Sequence, residues 1–220
     1  MKNSDPNKSP IPFHLLAIAL VALMLLAGVL YLGKEYFVGE QIAISSGSNT
    51  NSKAIEGIAG LKLGGDFELI RHDGEVVTDK TYAGKPRLMF FGFTYCPDIC
   101  PTELAMITRI LNDIPEEKAD QLNVLYISVD PERDTPDHLK EYLTLFHPNI
   151  HGLTGSQEQI DHIKKLYRVY SSKVYPEDST DYTVDHSAFL YLFDKKDNLV
   201  AMFRNGASEE EVKAAILQQL

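Results

Sequence analysis

An almost unbroken apolar run, Arg87-Leu88-Met89-Phe90-Phe91-Gly92-Phe93, leads within a few residues into Cys96-Pro97-Asp98-Ile99-Cys100-Pro101. The run is short for a helix and lacks the alternation of a half-wet strand, so it reads as a strand covered on both faces. From Thr102 to Leu111, the apolar residues Leu104, Ile107, Ile110 and Leu111 recur at helical spacing. Strand, cysteine loop and helix are therefore consecutive. That order calls for a sheet whose faces are covered by helices.

The alternation continues along the chain. Leu122 to Val129 reads as a second buried strand, and Pro136 to Phe146 as a helix with Thr135 at its N-cap. A short extended piece from His151 to Leu153 precedes Ser156, the N-cap of a helix marked by Ile160, Ile163, Leu166, Tyr167 and Tyr170. Ala188 to Phe193 and Leu199 to Phe203 flank Lys195-Lys196-Asp197-Asn198 as a hairpin. Ser208 and Glu211 open a last helix through Val212, Ile216 and Leu220. Upstream, Phe67 to Ile70 and Glu75 to Val77 are joined through His72-Asp73-Gly74, another hairpin signal. The sum is an α/β sandwich with a mixed central sheet over residues 61–220.

The N-terminal part has a different character. Leu15 to Leu32 carries no charge, and as a helix it spans about 27 Å, close to the ~30 Å of a bilayer core. A cleaved secretory signal is the alternative, but its apolar region is usually only ~7–15 residues and a small-x-small cleavage pattern follows closely. Val29 stands where a lipidated cysteine would follow Leu25-Leu26-Ala27-Gly28. Lys2 and Lys8 precede the span, and no arginine occurs before Arg71. By the positive-inside tendency, residues 1–14 form a short cytoplasmic N-terminus and 15–32 a single-pass anchor in the inner, cytoplasmic membrane. Residues 33–60, with the polar stretch Ser45 to Ser52, form a flexible tether. The domain at 61–220 is then expected on the outer, periplasmic side.

The net charge is −10, and beyond Ala54 there are 17 Lys and Arg against 28 Asp and Glu. Such a surface repels a phosphate backbone, so nucleic acid is no partner. It also stands off an anionic bilayer.

The chain has only two cysteines, too few for a disulfide framework. They lie between a buried strand and a helix N-terminus, where ligands collect in open α/β sheets. Pro101 suits the first helical position, and the helix dipole favours a thiolate there. Two adjacent thiols can close a disulfide, but so small a ring staples little chain. As thiolates they suit Cu(I), zinc or redox exchange. Structural zinc wants four Cys or His ligands, and a second cysteine pair is missing. The third donor must come from seven histidines. His14 is at the membrane, His138 and His162 read as surface residues, and His147 and His151 bracket a turn. His186 stands apart, just before the strand at Ala188 to Phe193.

The run Phe90 to Pro101, with Ile127-Ser128-Val129-Asp130-Pro131-Glu132-Arg133-Asp134-Thr135-Pro136 and Tyr182-Thr183-Val184-Asp185-His186-Ser187, resembles the signature of the Sco/SenC copper-delivery proteins. The motifs occur in the family's order within a domain from about Leu61 to Leu220. The resemblance implies a thioredoxin-like fold with a hairpin insertion near Val174 to Tyr182. It implies copper held by Cys96, Cys100 and a ring nitrogen of His186, which precedes a strand antiparallel to the one before Cys96. Thioredoxins place a cis-proline before that strand, whereas this chain has Val184-Asp185-His186. Asp98 and Asp185 are expected to orient the loop or hydrogen-bond His186. Asp130 and Asp134 are expected to shape the site or a docking surface, with helix capping as the alternative.

The implied role is a copper metallochaperone whose acceptor is the dinuclear copper centre of cytochrome c oxidase subunit II, served by a copper donor and a thiol reductant. The rival is an enzyme, a thiol–disulfide oxidoreductase acting on the acceptor's cysteines. A third reading, a peroxidase, lacks its family's spacing, because Phe90 stands where peroxiredoxins need proline and only Tyr95 separates Thr94 from Cys96.

Overall fold

The computed structural model describes residues 61–177 and 181–220, together with Met24. Apart from Met24, the expected anchor and the tether at 33–60 lie outside the described residues. Among the described residues no helix is long and apolar enough to cross a membrane.

Strand β1 (Glu68–Arg71) pairs antiparallel with β2 (Val76–Thr78), and Gly74 takes the positive φ that the Asp-Gly turn demands. A 3-10 turn (Asp79–Tyr82) then leads to β3 (Arg87–Gly92). Helices α1 (Ile99–Asp113) and α2 (Glu116–Ala119) precede β4 (Asn123–Ser128). Next come α3 (Pro136–Leu143), β5 (Ile150–Thr154) and α4 (Gln157–Tyr167). The chain finishes with β6 (Ser171–Val174), β7 (Thr183–His186), β8 (Phe189–Phe193), β9 (Leu199–Arg204) and α5 (Glu209–Leu217).

Seven strands form one sheet in the order β2-β1-β5-β4-β3-β8-β9. β3, β4 and β5 run parallel, and the outer pairings are antiparallel, giving the expected mixed sheet. The parallel pairs need long crossovers, which α1 and α3 supply. Every residue of β3 is buried, and so is β4 after Asn123. One face of these strands meets α1 and α3: Tyr126 packs on Tyr142, and Gly92 lies against Cys100. The other meets α4, where Tyr167 packs on Phe91 and Phe193.

The helix starts follow the sequence signals. Thr135 Oγ1 accepts from the His138 N–H, Ser156 and Gln159 cap each other, and Ser208 Oγ accepts from the Glu211 N–H. Three expectations need correction. Helix α1 begins at Ile99 rather than near Thr102, so Pro101 is its third residue, still inside the first turn where a missing N–H costs nothing. Arg168 takes a left-handed conformation and ends α4, leaving Tyr170 beyond the helix. The hairpin insertion is wider than Val174 to Tyr182: β6 and β7 pair Ser171 with His186 and Val174 with Thr183 as a separate two-stranded sheet.

Candidate metal centre

Strands β3 and β8 are antiparallel, Phe90 facing Leu190, so the end of β3 and the start of β8 lie at one sheet edge. The cysteine loop leaves that edge after Phe93, where the Cys96 N–H donates to the Phe93 carbonyl at 3.2 Å. His186 arrives there as the last residue of β7. Both cysteines are free thiols, Cys100 fully buried and Cys96 partly exposed. The Cys100 N–H, in the first turn of α1, points at Cys96 Sγ over 3.5 Å. Cys100 Sγ and His186 Nε2 are 3.8 Å apart.

The orientation of the imidazole is fixed from behind. His186 Nδ1 donates to the Ser187 carbonyl at 3.2 Å, which turns Nε2 toward the sulfurs. Phe93 supports the ring edge-to-face, with centroids 5.7 Å apart. The expected partner Asp185 is exposed and faces Ser172 across the β6–β7 ladder; the carbonyl takes its place.

Gly92 makes room for the buried sulfur. A Cβ at that position would lie 2.7 Å from Cys100 Sγ and 2.8 Å from Tyr126 Cε2. The Tyr126 hydroxyl is buried beside the same sulfur and interacts with it.

The two thiols divide one proton between them. Hydrogen bonding from the Cys100 side chain, then from His186 and the N–H groups of Cys100 and Asp98, holds the Cys96 thiol down to about 3 despite desolvation. Cys100 moves the opposite way, because the bond to Cys96 and its own burial keep its proton on. The resting pair is thus a Cys96 thiolate beside a Cys100 thiol. Asp98 is the N-cap of α1 but contributes through its backbone, since its side chain makes no capping bond.

A metal ~2.3 Å from sulfur and ~2.0 Å from nitrogen at a trigonal angle separates the two donors by about 3.7 Å, close to the 3.8 Å found. Among the described residues no group of three or more His, Cys, Asp and Glu side chains converges closely enough to hold an ion as it stands. The spacing of Cys100 and His186 matches that separation, with the partly exposed Cys96 alongside.

The family model for SCO1/SenC matches residues 56–220. The chain belongs to the SCO1/SenC family. Among its relatives, the mitochondrial SCO1 homolog 1 of Arabidopsis thaliana is 42% identical over 78% of this chain and 52% of that protein. The chain therefore spans about half the length of that relative. The copper-bound ScoI of Bradyrhizobium japonicum is 44% identical, with a TM-score of 0.66 over 72% of this chain and 99% of that structure. Copper-bound yeast Sco1 is 40% identical, with a TM-score of 0.64 over 71% of this chain and 87% of that structure. These SCO1/SenC structures and the mixed, helix-covered sheet described above place the chain in a thioredoxin-like fold.

In this SCO1/SenC domain the two remaining aspartates are fully buried. Asp134 accepts from the Thr94 N–H at 3.1 Å, the Thr94 hydroxyl at 2.5 Å and the Ser128 hydroxyl at 2.6 Å. It ties the start of the cysteine loop to the end of β4. Desolvation raises its carboxyl above the usual range, against those donors. Asp130 accepts from Arg133 Nε at 2.6 Å and from the Tyr182 hydroxyl at 2.8 Å. Neither side chain caps a helix, since Thr135 does that for α3.

The other described histidines lie elsewhere, and His14 is outside the described residues. His138 stacks on Tyr95, and His162 Nε2 bonds the Asp66 carbonyl. His147 Nδ1 accepts from the Asn149 N–H, and His151 sits on β5 between His72 and Tyr82. Sequence reasoning missed Gly92, Thr94, Ser128, Tyr126 and Ser187. Gly92 carries a signal in hindsight, as a glycine inside a buried strand marks a close approach.

Proposed function

We propose that this chain is a copper metallochaperone that assists assembly of the dinuclear copper centre of cytochrome c oxidase subunit II. Its cargo is held by Cys96, Cys100 and His186, and Leu15 to Leu32 anchors it in the inner membrane with the domain on the periplasmic side. The observation that carries the reading is the 3.8 Å approach of Cys100 Sγ to His186 Nε2, with Nδ1 bound on the far side. Copper in the solved structures of relatives at 44% and 40% identity supports it.

Two sulfurs and one imidazole form a soft donor set that suits Cu(I). Cys96 is already a thiolate, so binding releases chiefly the Cys100 proton, and affinity rises with pH. Three donors leave copper open to an incoming ligand, and the partly exposed Cys96 is the side from which an acceptor reaches it.

The same asymmetry favours a second reading, a thiol–disulfide oxidoreductase that prepares the acceptor's cysteines. Cys96 thiolate attacks an acceptor disulfide, and Cys100 resolves the mixed disulfide. The acceptor leaves as a dithiol, Cys96–Cys100 remains as a disulfide, and a thiol reductant restores it. One experiment separates the two: anaerobic copper loading, mixing with the soluble copper domain of subunit II, then copper and disulfide content on both proteins. Copper that moves while all thiols stay reduced is the expected result for delivery. In a second arm with the acceptor supplied as its disulfide, a Cys96–Cys100 disulfide matched by new acceptor thiols, with no copper transfer in either arm, identifies the reductase; absence of both events sinks both readings.

A further inference from the structure

Arg133 is outside the donor set, yet it touches both chain segments that bring the donors together. Its Nε donates to the buried Asp130 at 2.6 Å, and its Nη1 donates to the Tyr182 carbonyl at 2.8 Å and to Asp181 at 3.3 Å. The guanidinium also lies 3.8 Å from the ring centre of Tyr182 and 4.6 Å from that of Tyr95. Tyr182 directly precedes β7, which ends in His186; Tyr95 directly precedes Cys96. The third ring near the cation is Phe93, 5.9 Å away, which supports the His186 imidazole.

The attachment matters because β6 and β7 are not hydrogen-bonded into the seven-stranded sheet. A lone two-stranded hairpin is marginal in water, and three of the four residues of β6 are exposed. Val184 packs into the core beneath it and Lys173 pairs with Glu132, while Arg133 supplies the attachment nearest the donors. Arg133 is only 14% exposed, and a planar guanidinium can bond a carboxylate, a carbonyl and ring faces at once, which lysine cannot.

We propose that Arg133 is a positioning residue for copper: it clamps the β6–β7 hairpin onto the cysteine loop and so sets the distance from His186 to Cys100. The proposal rests on the copper reading above and adds a residue to it. Arg133 acts through His186 and touches no copper itself.

The test compares wild type, Arg133→Met, His186→Ala and the double variant in full-length protein, by Cu(I) competition against a chelator. Arg133→Met should weaken copper roughly 10- to 100-fold, as loss of a ligand's supporting partner does. In the His186→Ala background the same change should cost nothing further. Amide hydrogen exchange of the copper-free Arg133→Met protein should speed up in β6 and β7 and stay unchanged in β3, β4 and β8.

Wild-type affinity in Arg133→Met overturns the proposal, as does an equal loss with and without His186. If His186→Ala itself binds copper normally, the ligand reading fails. The exchange data then still decide the clamp: unchanged protection in β6 and β7 overturns it. Should Arg133→Met not fold, Tyr182→Leu removes the stacked ring while keeping the buried ion pair, and it takes the same measurements.

Discussion

Gly92→Ala is the sharpest single perturbation of this site, because it adds one methyl group where the structure has no room. The new carbon would sit 2.7 Å from Cys100 Sγ and 2.8 Å from Tyr126 Cε2. Non-bonded carbon contacts are comfortable at ~3.5–4.0 Å, so the sulfur and the tyrosine ring must each retreat by about 1 Å. Neither is free to do so, since both are fully buried. Overpacking of this kind costs about 1–3 kcal/mol. For a domain of this size that lowers the melting temperature by roughly 2–4 °C per kcal/mol. The sulfur's retreat is also a large fraction of a ~2.3 Å metal–sulfur bond, so copper affinity should fall at least about tenfold, or ~1.4 kcal/mol. Calorimetry and chelator competition read the two effects. Gly152→Ala is the control: its Cβ meets the end of the Leu143 side chain at 2.6 Å, which can swing aside, and it lies against α3 rather than at the thiols. A Gly92→Ala protein that melts with wild type and keeps its copper affinity would refute the packing argument.

Three further outcomes follow from the same contacts. With Cys96 held down to about 3, its thiolate persists as acid is added and is lost only as pH falls through that value. Iodoacetamide should therefore label Cys96 alone, at a rate nearly flat from about pH 8 to about pH 5, whereas an ordinary thiol of pKa ~8.5 slows about tenfold per pH unit. Mass spectrometry that finds such a tenfold slope contradicts the proton sharing. Asp134→Ala strands the Ser128 and Thr94 donors in the interior and should cost about 3–5 kcal/mol in urea unfolding; a loss below ~1 kcal/mol would show that the tie between β4 and the cysteine loop is not structural. Tyr126→Phe deletes a buried hydroxyl whose partner is the Cys100 sulfur, a weak hydrogen-bonding atom, so stability should change by no more than ~1 kcal/mol, and a larger loss in urea unfolding counts against that account.

Much of this architecture could be read from residue order, for identifiable reasons. Strands buried on both faces must be continuously apolar, which made Arg87 to Phe93 and Leu122 to Val129 visible before any pairing was known. Thr135, Ser156 and Ser208 announced three helices because cap chemistry is local. The β6 strand was invisible: Ser171-Ser172-Lys173-Val174 is mostly exposed and owes its form to the ladder with β7 rather than to any buried face. The cysteines and His186 were legible by residue type and placement. Their supports were not, since nothing local marks Asp134 as fully buried or selects the Ser187 carbonyl over Asp185 behind the imidazole. Arg133 is similar. Five residues past β4 it carries no local mark of burial, and only the fold stacks Tyr95 and Tyr182 around it.

The donor set itself can be counted. X-ray absorption at the copper edge of anaerobically loaded full-length protein should give two sulfurs and one nitrogen around each ion. The nitrogen should vanish in His186→Ala, and one sulfur in each single cysteine variant. A spectrum with no sulfur, or one that His186→Ala leaves untouched, would contradict the site at its root.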